Sequence, residues 1–324
     1  MKTKIETIDA LLPKSIETLQ SAATICTGQK KGNGVNLIAL LEFSNHCRCN
    51  CQYCGLRRDN TNLKRYRMSV EDILKMAEYA KNVGFNTICL QSGEDSRYSC
   101  EDICSIVSKI SDMGMKVILS LGHRGAHEYR EFKDAGAFGY LMRFETSNPE
   151  LYAKLHPKQR LKDRLHDITV LKRLGFYLAT GFLVGLPEQT LEDVEKDLAF
   201  LGEIGPDFIG IGPFIPHPDT PLANVRTDTP AGQLEIMLRL LAISRIMYSK
   251  RDIAATTSIM KLAKKDEFAP LRFGANVILP SITPDVLRKD YEIFAGKAQS
   301  GATAKDVEAL REKLKANGYN PIFV

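Results

Sequence analysis

Three cysteines in the first quarter of the chain have the spacing of an iron–sulfur site. Cys47, Cys51 and Cys54 form a C-x3-C-x2-C array directly after an apolar run. Ordinary 4Fe-4S clusters take four cysteine ligands. Three ligands leave one iron with an open coordination position, as catalytic zinc keeps one position free for water or substrate. The array therefore predicts a 4Fe-4S cluster whose open iron is where the chemistry begins.

Two other interpretations of these cysteines explain less. A structural zinc ribbon needs a second cysteine pair downstream, and no cysteine follows Cys104. Thiols that simply pack as small apolar groups do not account for four cysteines within the eight residues 47–54. Cys49 alternates with the predicted ligands, and we interpret it as a bystander that could substitute for Cys47 if that ligand were lost.

Further short sequence motifs accompany the array. They are EFSN-x-C-x3-C-x2-CGLRRDN (42–60), KRYRM (64–68), LQSGED (90–95), VGLP (184–187), GIGPFIPHPDTPLAN (210–224), ATT (255–257) and GANVI-x-P (274–280). Together with the cysteines, they resemble the radical S-adenosylmethionine (SAM) superfamily and, within it, the HydE family of FeFe-hydrogenase maturases. The biotin synthases and methylornithine synthases belong to the same group. The resemblance covers most of the chain, from about residue 35 to residue 297.

The resemblance implies a function. It implies an enzyme with a 4Fe-4S cluster that reductively cleaves SAM to a 5′-deoxyadenosyl radical and acts in assembly of the hydrogenase H-cluster. The implied partners are a small-molecule or organometallic substrate, an electron donor of the flavodoxin or ferredoxin type, and other hydrogenase maturases. A HydE-like paralogue that acts on a small amino acid, as methylornithine synthase does, is the alternative enzyme. A non-catalytic iron–sulfur scaffold is less favoured, because it would need no SAM pocket.

The resemblance also implies which residues bind SAM. They are Tyr53, Ser92, Gly93, Glu94, Ser120, Glu145, Arg164 and Ile211. Arg164 would hold the SAM carboxylate, since a guanidinium pairs with a carboxylate through two hydrogen bonds and keeps its charge. Without the resemblance, a solvated helix face shared with Lys162 and Asp163 is the preferred explanation of this arginine.

The substrate site is where the resemblance is weakest. The positions that match the HydE substrate pocket are Gln91, Arg143, Thr256, Thr257 and Tyr291. Four apolar residues stand where the family usually has polar or flexible groups: Ile38, Ile118, Phe208 and Phe294. The C-terminal tail also lacks the cysteines that hold an accessory cluster in many HydE-like sequences. These differences leave both the HydE substrate and a paralogue's substrate open.

The chain around these residues predicts a parallel barrel. Short apolar runs alternate with longer amphipathic stretches, a pattern typical of repeated βα units. The predicted strands are 35–43, 87–91, 116–121, 139–143, 177–184, 208–211, 252–256 and 275–279. Eight such strands favour an α/β protein of the (β/α)8 TIM-barrel type, in which functional groups lie on loops at the carboxyl ends of the strands. The cysteine loop follows the first strand, and 92–95, 145–146 and 185–187 follow later ones.

We expect three parts in the chain: an N-terminal helical extension (1–34), the barrel (35–299) and a C-terminal helical tail (300–324). A net charge of +5, from 44 Lys and Arg against 39 Asp and Glu, favours anionic ligands but is too small to predict a nucleic-acid partner. The sequence shows neither a secretory signal nor an apolar run that could cross a bilayer. All eight cysteines precede residue 105, unlike a disulfide framework, so we expect a cytoplasmic protein.

Overall fold

The computed structural model describes residues 2–225, 228–297 and 306–324. Its strands are β1 (Gly34–Leu37), β2 (Ala39–Ser44), β3 (Thr87–Ser92), β4 (Lys116–Ser120), β5 (Gly139–Leu141), β6 (Tyr177–Thr180), β7 (Leu183–Val184), β8 (Phe208–Ile209), β9 (Gly212–Pro213), β10 (Asp252–Ile253), β11 (Val277–Ile278) and β12 (Asn320–Phe323). Its helices are α1 (Lys2–Leu11), α2 (Ile16–Lys31), α3 (Val70–Val83), α4 (Cys100–Asp112), α5 (Ala126–Asp134), α6 (Pro149–Leu155), α7 (Leu161–Arg173), α8 (Leu191–Ile204), α9 (Pro230–Met247), α10 (Thr257–Leu262), α11 (Ala269–Arg272), α12 (Asp285–Arg288) and α13 (Val307–Ala316).

Parallel strands form the centre of the molecule. β2, β3, β4, β5, β6, β8 and β10 lie side by side in that order. The segment that contains β11 then joins the two edges, because Ala254 pairs with Val277 and Leu40 pairs with Ser281. With β11 as the eighth strand the sheet closes on itself, and helices cover its outside, as right-handed βαβ crossovers require. The predicted (β/α)8 barrel is confirmed.

The interior of the barrel is layered. Its lower part is filled by apolar side chains of successive strands: Ile38, Leu40, Cys89, Ile118, Ala179, Phe208, Ala254 and Val277. Side chains two positions further along a strand point to the same face. On β2 this position is Glu42, which lies beside Gln91 of β3, and Gln91 lies beside Ser120 of β4. A polar layer therefore covers the apolar one and faces the carboxyl ends of the strands.

The two ends of the chain differ from expectation in detail. α2 continues through Gly28 to Lys31, although glycine disfavours a helix interior. Its packing against α9 outweighs the cost of about 1 kcal/mol for a helical glycine. β12 was not predicted, because Pro321 disfavours a central strand. Among the described strands it pairs with β1 alone and lies at an edge, where proline is tolerated.

The predicted boundary between the barrel and the C-terminal tail, at 299/300, falls outside the described residues. The division into three parts stays a prediction. Across the described ranges, no helix is both long and apolar enough to span a membrane.

Candidate active site

The cysteine loop lies over the carboxyl end of the barrel. Cys47, Cys51 and Cys54 all line one cavity of about 270 Å³, which we call the cluster cavity. The same cavity is lined by loop residues from several other strands, including Gly93 after β3 and Glu145 after β5. The fold thus brings the three predicted ligands together where a TIM-type barrel carries its functional groups.

Arg65 holds the cysteine loop in shape. One terminal nitrogen of its guanidinium donates to the carbonyl oxygens of Asn45 at 2.6 Å and Leu56 at 3.0 Å. The other donates to the carbonyls of Arg57 at 2.6 Å and Asn60 at 3.1 Å. These four bonds join the two ends of the loop, a task for which the rigid fork of arginine donors is suited. Arg65 therefore positions the cysteine loop.

The donor set fits an iron–sulfur cluster. A hydrogen bond from the Cys49 thiol lowers the pKa of Cys47 to about 7, although burial opposes this shift. Burial raises the pKa of Cys54 to about 12 and also raises that of Cys51. Cys51 and Cys54 therefore give up their protons when a metal binds, because cluster ligands must be thiolates. Three thiols around a cavity match the ligation of a cluster. In the described part of the chain, no group of three or more His, Cys, Asp or Glu side chains is close enough together to hold a single metal ion.

The loop after β3 lies directly against the cysteine loop. The backbone N–H of Glu94 donates to the Cys47 sulfur at 3.4 Å, and the N–H of Arg48 donates to the Glu94 carbonyl at 2.9 Å. A Cβ atom at Gly93 would lie 2.3 Å from the carbonyl oxygen of His46 and 2.7 Å from the Cβ of Cys47. Only glycine permits this approach. Ser92 turns its hydroxyl to the Gly93 carbonyl at 2.7 Å.

Glu94 and Arg164 face each other at the edge of the cluster cavity. An Arg164 nitrogen lies 3.6 Å from a Glu94 oxygen, and both side chains are largely buried, at 14% and 11% exposure. Burial alone would raise the pKa of Glu94, but Arg164, the His123 backbone N–H and Arg48 together hold it below its ordinary value. A charged carboxylate and a guanidinium thus coexist beside the thiols. Arg164 is on the buried side of α7, whereas Lys162 is exposed.

Arg164 gives a direct prediction about SAM. Replacement by alanine removes a charged hydrogen-bond donor, so SAM binding should weaken by roughly 1.5–3 kcal/mol while iron content is unchanged. Calorimetric titration of the anaerobic, cluster-loaded protein measures this. Lys162→Ala is the matched control. Lys162 lies two residues before Arg164 in α7 and is exposed, so this variant should bind SAM as the wild type does. Equal affinity in Arg164→Ala and wild type would contradict the assignment.

Tyr53 is fixed by a histidine that sequence reasoning did not select. The Tyr53 hydroxyl lies 2.9 Å from Nε2 of His156, whose Nδ1 lies 3.0 Å from the carbonyl of Tyr152. Burial lowers the pKa of His156 to about 3. The ring is therefore neutral, with Nδ1–H donating to the carbonyl and Nε2 accepting from tyrosine. His156 thus orients the aromatic wall next to Cys54, and only its position in the fold reveals this.

His156 makes stability depend on pH. Its folded pKa of about 3 lies below the ordinary value of 6.5, so the unfolded chain takes up a proton first. Stability is fully present above pH 6.5 and is lost as the pH falls from 6.5 towards 3. At pH 5 the loss is about 2 kcal/mol.

Urea unfolding at pH 7.5 and pH 5 tests this dependence. His156→Gln should be less sensitive to this change of pH than the wild type, because it has no imidazole to titrate. His127→Gln, at an exposed position, is the control and should keep the wild-type dependence. If wild type and His156→Gln lost equal free energies of unfolding, the assignment would be wrong.

Arg143 and Glu145 come from the end of β5. Their side chains form an ion pair at 2.8 Å. Glu145 has a φ of +67°, a left-handed conformation that is strained for this residue type. It is held by hydrogen bonds between the Glu145 N–H and the Gly181 carbonyl and between the Leu183 N–H and the Glu145 carbonyl. Strain of this kind concentrates at functional sites, and here it turns Glu145 into the cluster cavity.

A deep cavity of about 130 Å³ lies further inside the barrel. It is lined by four of the five predicted substrate residues, Gln91, Arg143, Thr256 and Thr257, together with Phe208 and Phe294. Tyr291 lines the cluster cavity instead. Among the described residues, Arg143 Nε and Thr180 Oγ1 have no hydrogen-bond partner. Polar groups with unused hydrogen bonds next to aromatic walls are typical of a small-molecule site.

The remaining predicted residues lie partly at the cluster cavity and partly in the apolar interior. Ser120 lines the cluster cavity and lies 3.5 Å from the Gln91 amide. The side chain of Ile211 lies in the hydrophobic core, and its carbonyl accepts a hydrogen bond from Thr256 at 3.3 Å. Ile38 and Ile118 belong to the apolar layer of the barrel.

A buried ion pair links the barrel to the segment that follows it. Glu42, which is fully buried, pairs with Lys297, and its carboxylate accepts hydrogen bonds from the hydroxyls of Ser281, at 2.8 Å, and Thr283. The ammonium of Lys297 lies 4.8 Å from the centre of the Tyr291 ring. Sequence reasoning missed this network, since its members are about 240 residues apart. It fixes residues 281–297 across the mouth of the barrel.

Comparison with known proteins agrees with this geometry. Residues 41–201 match the sequence model of the radical SAM superfamily. The chain is 47% identical over 266 residues to the [FeFe] hydrogenase maturase subunit HydE of Thermotoga maritima, covering 82% of this chain and 75% of that protein. It is 27% identical over 312 residues to the 3-methylornithine synthase of Methanosarcina barkeri, covering 95% and 86%. The crystal structure of methylornithine synthase (PylB) superposes with a TM-score of 0.79 at 23% identity, covering 98% of this chain and 94% of that one.

Proposed function

Because this chain belongs to the radical SAM superfamily and is a HydE-like, SAM-dependent iron–sulfur enzyme, we propose that it acts in assembly of the FeFe-hydrogenase H-cluster. The observation that carries the proposal is the cluster cavity, in which three thiols, the Glu94–Arg164 pair and Glu145 meet. A cluster scaffold without catalysis would have no use for the pair or for the strained glutamate. The higher identity to HydE than to methylornithine synthase favours the maturase over the paralogue.

The residues divide into two groups by role. Cys47, Cys51 and Cys54 would hold the cluster, which, when bound and reduced, supplies the electron that cleaves SAM to a 5′-deoxyadenosyl radical. Arg164 would bind the SAM carboxylate, while the backbone around Gly93 and the Glu94 side chain attract its amine. Charged groups in a buried site act more strongly than in water, so this buried pair can orient the amino-acid end of SAM against the cluster.

Substrate recognition would fall on the deep cavity and its entrance. Arg143 and the hydroxyls of Thr256 and Thr257 offer hydrogen bonds, and Gln91 and Tyr291 complete the polar surface. An unpaired buried polar group costs about 1–3 kcal/mol, so a bound substrate that pairs with Arg143 Nε and Thr180 Oγ1 gains this energy back. We propose a small molecule with hydrogen-bond acceptors, which includes an organometallic precursor with cyanide and carbonyl ligands.

The same chemistry indicates the protein partners and the cellular compartment. An electron donor of the flavodoxin or ferredoxin type and other hydrogenase maturases are the proposed protein partners. All eight cysteines are free thiols, which supports a reducing, cytoplasmic compartment.

The decisive experiment is anaerobic turnover. Cluster-loaded, reduced protein is incubated with SAM and either the HydE substrate or amino acids of the methylornithine synthase type, and 5′-deoxyadenosine and product are measured together. We expect product and 5′-deoxyadenosine in proportion only with the HydE substrate. Turnover of an amino acid without turnover of the HydE substrate would replace the maturase assignment with that of a paralogue.

A further inference from the structure

The outer side of the cysteine loop carries a second, larger hollow. This basin has a volume of about 490 Å³, compared with about 270 Å³ for the cluster cavity. One wall comes from the cysteine loop, with Arg48, Cys49 and Arg58, and the other comes from residues 157–167 around the start of α7. The basin shares Glu94 and Arg164 with the proposed SAM site, but its other lining residues have no role in the SAM or substrate site proposed above.

The basin adjoins the cluster cavity through a thin wall. Both hollows are lined by Cys49, Glu94, Gln159 and Arg164. Cys49 lies between Cys47 and Cys51, two of the predicted cluster ligands. A group that enters the basin therefore comes close to the loop that carries the predicted cluster ligands.

The charge of the basin is positive. Five cationic side chains line it: Arg48, Arg58, Lys158, Arg160 and Arg164. The three carboxylates that line it already have partners: Glu94 pairs with Arg48 and Arg164, Asp163 with Arg160, and Asp167 with His123. Lys158 is exposed and, within the described ranges, has no carboxylate at ion-pair distance. Arg58 also has a partner, Asp59, just outside the lining. The exposed rim thus keeps a small excess of positive charge, supplied by Lys158, which attracts an acidic partner.

We propose that this basin is the docking surface for a small acidic protein that reduces the cluster, an inference that rests on the proposed function. One electron leaves the reduced flavin or iron–sulfur centre of the donor, which is oxidised by one electron. The same electron enters the cluster, which is reduced by one electron. The cationic rim orients the donor so that its redox centre meets the wall at Cys49.

Charge reversal tests the docking surface. Lys158→Glu/Arg160→Glu changes the rim but touches none of the groups assigned to the cluster, SAM or substrate. Lys313→Glu/Lys315→Glu is the matched control at the opposite end of the barrel, on exposed ion-paired lysines of α13. An acidic flavodoxin and an acidic ferredoxin serve as probes. Their binding is measured by calorimetry on cluster-loaded protein, and SAM cleavage is measured with each reduced probe and, separately, with dithionite.

We expect the rim variant to bind the effective probe at least about tenfold more weakly and to lose a similar factor in probe-driven SAM cleavage, because steering by charge contributes about 10- to 1000-fold to association. Dithionite-driven cleavage should equal that of wild type, and the control variant should be normal throughout. Wild-type binding should weaken as salt rises from about 0.01 to 0.15 M, as the screening length shrinks.

Equal probe binding and equal probe-driven rates in the rim variant, the control variant and wild type would overturn the docking surface. Absence of dithionite-driven cleavage in wild type would contradict the proposed function instead. In that case the calorimetric comparison of probe binding alone still tests whether the basin is the docking surface.

Discussion

Replacement of Cys51 by alanine is expected to abolish cluster binding and, with it, all SAM cleavage. A site with three protein ligands has no spare thiolate, so loss of one leaves two irons without protein ligands. After anaerobic reconstitution, the wild type should hold about four irons per chain, and Cys51→Ala should hold almost none. Iron and sulfide analysis, together with the absorption of the cluster, measures the effect directly. Cys54→Ala should behave alike.

Cys49→Ala is the matched control for this prediction. Cys49 lies in the same loop and contacts Cys47, but it is not one of the predicted ligands. Its loss should leave iron content close to that of the wild type. Full iron content in Cys51→Ala, or complete loss in Cys49→Ala, would show that the ligands have been assigned wrongly.

The barrel could be predicted because its signals are local. Runs such as 116–121 are apolar and rich in β-branched residues, and glycines such as Gly84 and Gly205 end the helices that precede the next strand, with left-handed backbone. A parallel strand order then places every loop that follows a strand at one end. The position of the cysteine loop beside residues 92–95 follows from this rule without any knowledge of side-chain contacts.

The fixing contacts of the site could not be predicted, because each joins distant parts of the chain. Arg65 stood in a run of basic residues that does not reveal which one is turned towards the loop carbonyls. His156 has neither a ligand spacing nor a motif, and only the packing of α6 against the loop brings it to Tyr53. β12 was not predicted because Pro321, within it, disfavours a strand. Local patterns determine elements, whereas the polar contacts that fix a site depend on how those elements finally meet.

The pair of Glu42 and Lys297 shows how much such a contact contributes to the free energy of unfolding. Both side chains are almost completely buried, at 0% and 4% exposure. A charge that loses its partner in the interior cannot be compensated by water, and breaking a buried pair on one side costs about 3–5 kcal/mol. The hydroxyls of Ser281 and Thr283 would remain with Glu42 in a Lys297→Met variant, but they carry no charge.

We therefore expect Lys297→Met to lower the free energy of unfolding by about 3–5 kcal/mol, measured by urea unfolding of the cluster-free chain. Glu42→Gln/Lys297→Met should recover much of the loss, because it removes the isolated charge as well. Lys313→Met, which breaks an exposed pair with Glu267, should cost less than about 1 kcal/mol. If Lys297→Met were as stable as Lys313→Met, or if the double variant were no better than the single one, the pair would not stabilise the closed barrel mouth.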